Sequence, residues 1–214
     1  MKKKKVLITA GSTCVPIDSV RVITNIFKGR LGIEIAKQFT KEGFDVTLLL
    51  GNSDLFLDES FYGSMRVLSF KYYDELLNMV SDEMKNNYDI VIHSAAISDY
   101  RLADYKAGKI KSGQKELILR LTPTAKIVDL FKKIKPEVFL VMFKLEVDKD
   151  KEELIELAKK SRDRAGADVI VANDFRVMKK EHLAYIIIRD EVIAVSGKIN
   201  IATKLLDLTY DRFR

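Results

Sequence analysis

The chain of 214 residues has one cysteine, two histidines and no apolar run approaching the ~20 residues that a membrane-spanning helix needs. The lone Cys14 excludes an internal disulfide and makes a reducing cytoplasm the simplest home. The N-terminus, MKKKKVLITAG, has a basic start, but its short apolar stretch ends in Gly11 and Ser12 with no separate cleavage region. It therefore reads as a first strand and not as a secretion signal. Histidine, cysteine and carboxylate residues nowhere cluster at ligand spacing, so no structural metal site is expected. A thiol nucleophile at Cys14 would need His93 or His182 as its base, and neither stands in a familiar arrangement. His93, at the end of an apolar strand, reads as a satisfied buried histidine. Also missing is the G-x-G-x-x-G turn that joins the first strand of a dinucleotide fold directly to its helix. Tyr105 and Lys109 do form Y-x-x-x-K, the dyad spacing of short-chain reductases, but Gly108 interrupts it and no helical apolar stripe surrounds it. There is no repeat, linker or low-complexity segment, and no basic stripe interleaved with aromatics, so no nucleic-acid partner is expected.

What is present is an ordinary balance of 47% hydrophobic and 32% charged residues, which gives a single domain over 1–214 ample volume for a core. The net charge of +6 fits a polyanion partner, a solvated Lys-rich surface, or a few cations converging on a small phosphorylated ligand. Composition does not separate the three.

Hydrophobic periodicity organises the chain. Residues 4–11 predict a buried strand. Residues 30–44 predict an amphipathic helix with Leu31, Ile35 and Phe39 on one face and Gly43 at its end. Strands follow at 45–51 and 65–70, then a helix over 73–87 and a strand over 88–96. A polar segment over 97–114 is a long loop, followed by a strand over 115–121 and a helix over 122–135 that opens with Thr-Pro. The second half continues with a strand over 137–146, a helix over 150–166 and a strand over 167–175. The early acids and late bases of that helix suit its dipole. A hairpin over 184–196 and a closing helix over 198–213 complete the chain. Continuous apolar strands alternating with helices argue for an α/β fold: a Rossmann-like, mainly parallel sheet with helices on both faces, plus a C-terminal β-hairpin appendage.

Two loops are candidates for function. After Gly11, a detour carrying Pro16, Asp18, Arg21 and Asn25 precedes Gly29 and Gly32, which stand at a helix start where free N–H groups favour an anion. Gly29 would let a ligand approach the backbone, and Gly32 would permit close packing of helix on sheet. The second loop begins where the 88–96 strand ends, and ligands of open α/β sheets bind outside strand carboxyl ends. There Ala95 and Ala96 leave room for a flat ring, Asp99 can accept from ribose hydroxyls or hold a divalent cation, and Lys109 and Lys111 can close over phosphates.

The segments VLITAGSTCVPIDSVRVITN…GRLG, IVIHSAAISDYR…KIKS and ADVIVAND together resemble the phosphopantothenate–cysteine ligase family over nearly the whole chain, in order. The chain looks like the free-standing bacterial form, without the flavin-dependent decarboxylase often fused ahead of it. The resemblance implies an enzyme of coenzyme A synthesis. A nucleoside triphosphate, CTP or ATP with Mg²⁺, activates the carboxylate of 4′-phosphopantothenate as an acyl-nucleotide, and the amine of cysteine displaces the nucleotide. It also implies a homodimer with the hairpin region at the interface. By the same resemblance Asn25 and Lys109 are catalytic, and Gly11, Ser12, Asn25 and Gly29 bind the substrate. Ser94, Ala95, Asp99, Lys109, Phe143, Lys160 and Arg164 contact the nucleotide, with Asp99 the candidate ligand of its cation. The sequence departs from the family between Asn25 and Gly29, where Ile26, Phe27 and Lys28 replace the usual His-Ser-Ser or His-Ser-Thr. Two other readings stand beside this one: a non-catalytic nucleotide-binding relative, and an NAD(P)-dependent reductase on a related fold.

Overall fold

The computed structural model describes residues 3–51, 63–105 and 107–213. Its first strand, β1 (Lys5–Gly11), lies inside an eight-stranded sheet. β1 pairs in parallel with β4 (Asp45–Gly51) on one side and with β6 (Ile90–His93) on the other. Beyond β4 lies β5 (Arg66–Phe70), also parallel. Beyond β6 come β9 (Phe139–Glu146) and β10 (Val169–Asp174), parallel again. The chain therefore builds outward from β1 in one direction and then, from β6, in the other. The reversal between β1 and β6 is a topological switch point, and the two polar loops leave from those two strand ends.

Successive side chains of each strand alternate between two apolar layers. Val6, Ile8 and Ala10 face α1 (Arg30–Lys41) and the closing helix α6 (Lys198–Phe213). Leu7 and Leu49 face α2 (Tyr73–Glu83), α3 (Val128–Ile134) and α4 (Lys151–Ala165). In α1 the expected face is buried: Ile35 and Phe39 are fully enclosed, and Leu31 packs at the rim. The α4 boundaries follow from local chemistry. The Asp150 carboxylate accepts the Glu153 N–H at 2.8 Å as an N-cap, and Gly166 takes the left-handed conformation that ends the helix.

The expected C-terminal hairpin is present and joins the edge of the main sheet: β11 (Leu183–Ile188) pairs antiparallel with β10, and β12 (Glu191–Ser196) with β11. Two other expectations need correction. Residues 115–121 do not form a strand of that sheet. Both edges of β6 are already paired, and only β8 (Leu121–Pro123) finds a partner, in β7 (Tyr100–Leu102). With no layer to cover it, the run leaves Ile118 78% exposed. The helix expected over 122–135 is confined to α3, because Thr124 is held to the preceding loop: its N–H donates to the Asp99 carbonyl and its hydroxyl to the Ser98 carbonyl.

The detour after β1 is ordered by its own small hairpin, β2 (Cys14–Pro16) with β3 (Val22–Thr24), which the sequence did not reveal. The short α5 (Phe175–Glu181) follows β10, capped by the Asp174 carboxylate, which accepts from the Arg176 and Val177 N–H groups.

Candidate functional site

The site is built where the loops after β1 and β6 meet. Gly11 ends β1 with φ 79°, and a Cβ there would lie 1.7 Å from the Gly51 carbonyl oxygen. Gly29, also at positive φ, starts α1 so close to β1 that its Cβ would stand 2.5 Å from the Gly11 nitrogen. A Cβ on Gly32 would fall 2.5 Å from the Ser94 Oγ and 2.6 Å from the Ala10 Cβ. The delayed glycine pair thus lets α1 lie directly on the ends of β1 and β6. Gly32 packs as expected; at Gly29 the close neighbour is the Gly11 backbone. α1 begins with no side-chain cap and no acidic residue in its first turn, so its positive dipole end is left for an anion.

The backbone after β6 runs beside that after β1. The Ser94 N–H and hydroxyl both donate to the Thr9 carbonyl, the Ala96 N–H to Gly11, and the Thr13 N–H back to Ala96. Asn25 closes this seam: its side-chain amide donates to the Ala96 carbonyl at 3.3 Å, while its own carbonyl accepts from the Ser12 hydroxyl at 3.3 Å. Gly11, Ser12, Asn25, Gly29, Ser94 and Ala95 therefore form one patch over the switch point. Phe143 lies on β9, half-buried against the α1 layer and one register step past the His93–Met142 pair.

The segment around Lys109 is tied to the tip of the β2–β3 hairpin. The Gly108 N–H donates to the Ser19 hydroxyl at 2.8 Å, and the Gly108 carbonyl accepts the Ser19 N–H at 3.1 Å. The Ile110 N–H donates to Asp18 at 3.0 Å, and its carbonyl accepts from the Arg21 guanidinium at 3.0 Å. The Asp18 carboxylate is enclosed and accepts from the Val20 and Arg21 N–H groups and from the Arg21 side chain. The Arg21 hydrogen bond, ahead of the opposing effect of burial, holds this carboxyl well below the usual range. Asp18 and Arg21 were named from sequence only as part of the detour. The one available signal was their three-residue spacing, which fits an Asx-type turn.

Asp99 is an exposed neighbour of the seam, paired with Lys126. Among the described residues no three His, Cys, Asp or Glu side chains gather closely enough to hold a metal ion. Lys160 and Arg164 are not brought to the patch. α4 leaves the carboxyl end of β9 and runs back toward the start of β10, and its later residues Lys160 and Arg164 pair with Glu156 and with Asp129 at the start of α3. Tyr105 and Lys109 lie in coil, so the reductase dyad does not form. Phe27 sets its ring edge-on to Phe175 at the end of β10, 6.1 Å between centroids, and so carries the departing segment across to the far half of the sheet.

Neither Cys14 nor His93 is presented as a nucleophile or base. Cys14 is buried in β2. His93 is enclosed, with its Nδ1 2.8 Å from the Thr9 Oγ1 and its ring against Phe131. The Thr9 oxygen also accepts the Ala95 N–H at 3.3 Å, and the ring tautomer decides whether Thr9 Oγ1 or Nδ1 donates in the His93 contact. Burial pulls the His93 pKa down to about 4. The unfolded chain therefore takes up a proton near the ordinary value of 6.5 that the folded chain refuses until about 4. Stability from this group is complete above pH 6.5 and falls as the pH drops toward 4, by an amount on the order of 3 kcal/mol. Urea unfolding at pH 7 and pH 4.5 should show a smaller acid loss in His93→Asn than in the parent chain. Equal losses would contradict this account of the ring.

A mainly parallel sheet whose strand order reverses between β1 and β6, with two polar loops and a helix N-terminus at that point, defines the class: an α/β protein with a doubly wound sheet. The chain belongs to the DNA/pantothenate metabolism flavoprotein C-terminal domain family, whose model matches residues 1–211. It is 40% identical, over 85% of its own length and 44% of the relative's, to the coenzyme A biosynthesis bifunctional protein CoaBC of Thermococcus kodakarensis. The chain spans about half the length of the curated relatives it matches. The DNA/pantothenate metabolism flavoprotein from Streptococcus pneumoniae has the same fold, with a TM-score of 0.89 at 29% identity, covering 98% of this chain and 99% of that one. The C-terminal domain of a coenzyme A biosynthesis bifunctional protein CoaBC follows at 0.80 and 26%, covering 98% and 95%.

Proposed function

We infer that this chain carries a phosphopantothenate–cysteine ligase activity, joining 4′-phosphopantothenate to cysteine through an acyl-nucleotide at the expense of CTP or ATP. The observation that carries the reading is the seam itself. Asn25 from the first loop meets Ala96 of the second, and the first loop also holds the backbone on both sides of Lys109. An amide on the seam and a cation on a held loop suit a reaction between two phosphorylated anions. The family and the coenzyme A relatives support the same conclusion.

In this reading the free N–H of the Asn25 amide binds the substrate carboxylate beside Gly11, Ser12 and Gly29. Lys109 neutralises the nucleotide phosphates as charge develops on them. Ser94, Ala95 and Phe143 border the base, and Asp99 takes the Mg²⁺ that enters with the triphosphate. Cysteine's own amine is the nucleophile, which suits a site whose histidine and thiol are both buried. The enzyme contributes positioning and charge. The β2–β3 and β7–β8 arms expose Val20, Ile26, Tyr100 and Ile118, and we assign that apolar surface to a second copy of the chain.

The test is to mix the protein with 4′-phosphopantothenate, cysteine, Mg²⁺ and either CTP or ATP. Pyrophosphate release that depends on phosphopantothenate, with 4′-phosphopantothenoylcysteine identified by mass spectrometry, is the expected result and names the nucleotide. No release with either nucleotide would overturn the reading.

A further inference from the structure

We propose that Asp18 is a positioning residue for Lys109, holding the lysine's loop against the first loop through a carboxylate clamp. This rests on the ligase reading only in the role it gives Lys109; the clamp itself rests on geometry.

Asp18 is unusual among the acidic residues of the loops in being completely enclosed, with its side chain 0% exposed. Oδ1 accepts the Val20 and Arg21 N–H groups, both at 2.9 Å, which folds the tip of the β2–β3 hairpin into a tight turn. Oδ2 faces the other way. It accepts the Arg21 Nε at 3.0 Å and the Ile110 N–H at 3.0 Å, from a residue 92 positions further along the chain. The guanidinium that Asp18 fixes then donates to the Ile110 carbonyl at 3.0 Å. Ser19, next to Asp18, pairs with Gly108 in both directions. Both peptide neighbours of Lys109 are thus held by two hydrogen bonds each, and all four bonds come from residues 18, 19 and 21. Gly108 meets this geometry at φ 102°, where a side chain would be strained.

A lysine on a free loop loses chain and side-chain entropy when it closes on a phosphate. A backbone pinned on both sides of it has met most of that cost on folding, so the ammonium samples fewer positions and the charge is aimed before the nucleotide arrives. An enclosed carboxylate with five hydrogen-bond donors is suited to this, because no water competes for its oxygens.

The experiment combines amide exchange with kinetics on the full chain. In Asp18→Asn the side-chain NH2 faces donors in place of an acceptor, so the Gly108 and Ile110 amides should lose protection while those of β1, β6 and β9 keep theirs. The kcat for pyrophosphate release should fall about a hundredfold, with the KM for phosphopantothenate unchanged. In a Lys109→Ala background the same substitution should cost nothing more. Ser19→Ala, which removes one of the four bonds, should show the same pattern in smaller degree and covers the case in which Asp18→Asn does not fold. Retained protection at Gly108 and Ile110 would overturn the clamp. A kcat loss that multiplies with that of Lys109→Ala would overturn its action through Lys109. If the parent chain releases no pyrophosphate, the ligase reading falls, and exchange alone then decides the clamp: protection lost in Asp18→Asn sustains it and protection kept removes it.

Discussion

Replacing Lys109 by alanine is expected to lower the kcat of pyrophosphate release by about 10²–10³ while leaving the fold intact. The magnitude is that of removing one preorganised stabiliser of developing charge, about 3–4 kcal/mol. Folding should be spared because the Lys109 side chain is exposed and no apolar layer rests on it. Its backbone, not its ammonium, makes the loop contacts: the bonds that hold the segment belong to Gly108 and Ile110. Lys109→Arg is a useful companion. A planar fork cannot reproduce a point cation at the same distance, so it should recover only part of the lost rate. Circular dichroism and thermal unfolding of both variants should match the parent. A Lys109→Ala enzyme within a few-fold of parent turnover would remove the residue from the mechanism.

Gly11→Ala is expected to abolish the native state or destabilise it by more than about 4 kcal/mol, the range reserved for severe steric or buried-group defects. The added Cβ would sit 1.7 Å from the Gly51 carbonyl oxygen and 2.9 Å from its nitrogen. These are backbone atoms of the adjacent strand β4, held in register along its whole length, so nothing flexible can give way. The left-handed φ of 79° adds strain of its own. Gly43→Ala separates the two contributions. Gly43 has a φ of 84° but nothing within 4 Å of its Cβ position, so it should cost only the conformational share, about 1–2 kcal/mol. Chemical unfolding of both variants decides the matter. If Gly11→Ala costs no more than Gly43→Ala, the close crossing of β1 and β4 does not constrain the site.

That crossing also explains what the sequence conveyed and what it concealed. The inner strands β1, β4, β6 and β10 announce themselves as apolar runs because both their faces are covered, and the 198–213 helix matches the sequence reading to the residue. Gly29 and Gly32 were legible as a helix start near an anion site, but not the fact that Gly29 is required by another glycine's backbone. That partner is 18 residues away and carries no pattern. The β2–β3 hairpin was hidden for a similar reason. Its strands are three residues long, too short for alternation to register, and its turn is made by the Asp18 carboxylate, not by glycine. Residues 115–121 misled in the opposite direction. KELILRL has the composition of a strand, yet strand formation needs a free edge, and β6 offers none. Asn25 lies on the seam between the two loops, whereas Lys160 and Arg164 lie on α4.

The most direct test of the ligase account follows the oxygen atoms. 4′-Phosphopantothenate labelled with oxygen-18 in its carboxylate would be turned over with cysteine, Mg²⁺ and the preferred nucleotide, and the products read by mass spectrometry. Attack of the carboxylate on the α-phosphorus leaves one labelled oxygen bridging carbon and phosphorus. Attack by the cysteine amine then breaks the carbon–oxygen bond. The account predicts one labelled oxygen in the nucleoside monophosphate and none in pyrophosphate. Label in inorganic phosphate together with a nucleoside diphosphate would mean an acyl-phosphate route, and the acyl-nucleotide mechanism assigned to this seam would be wrong.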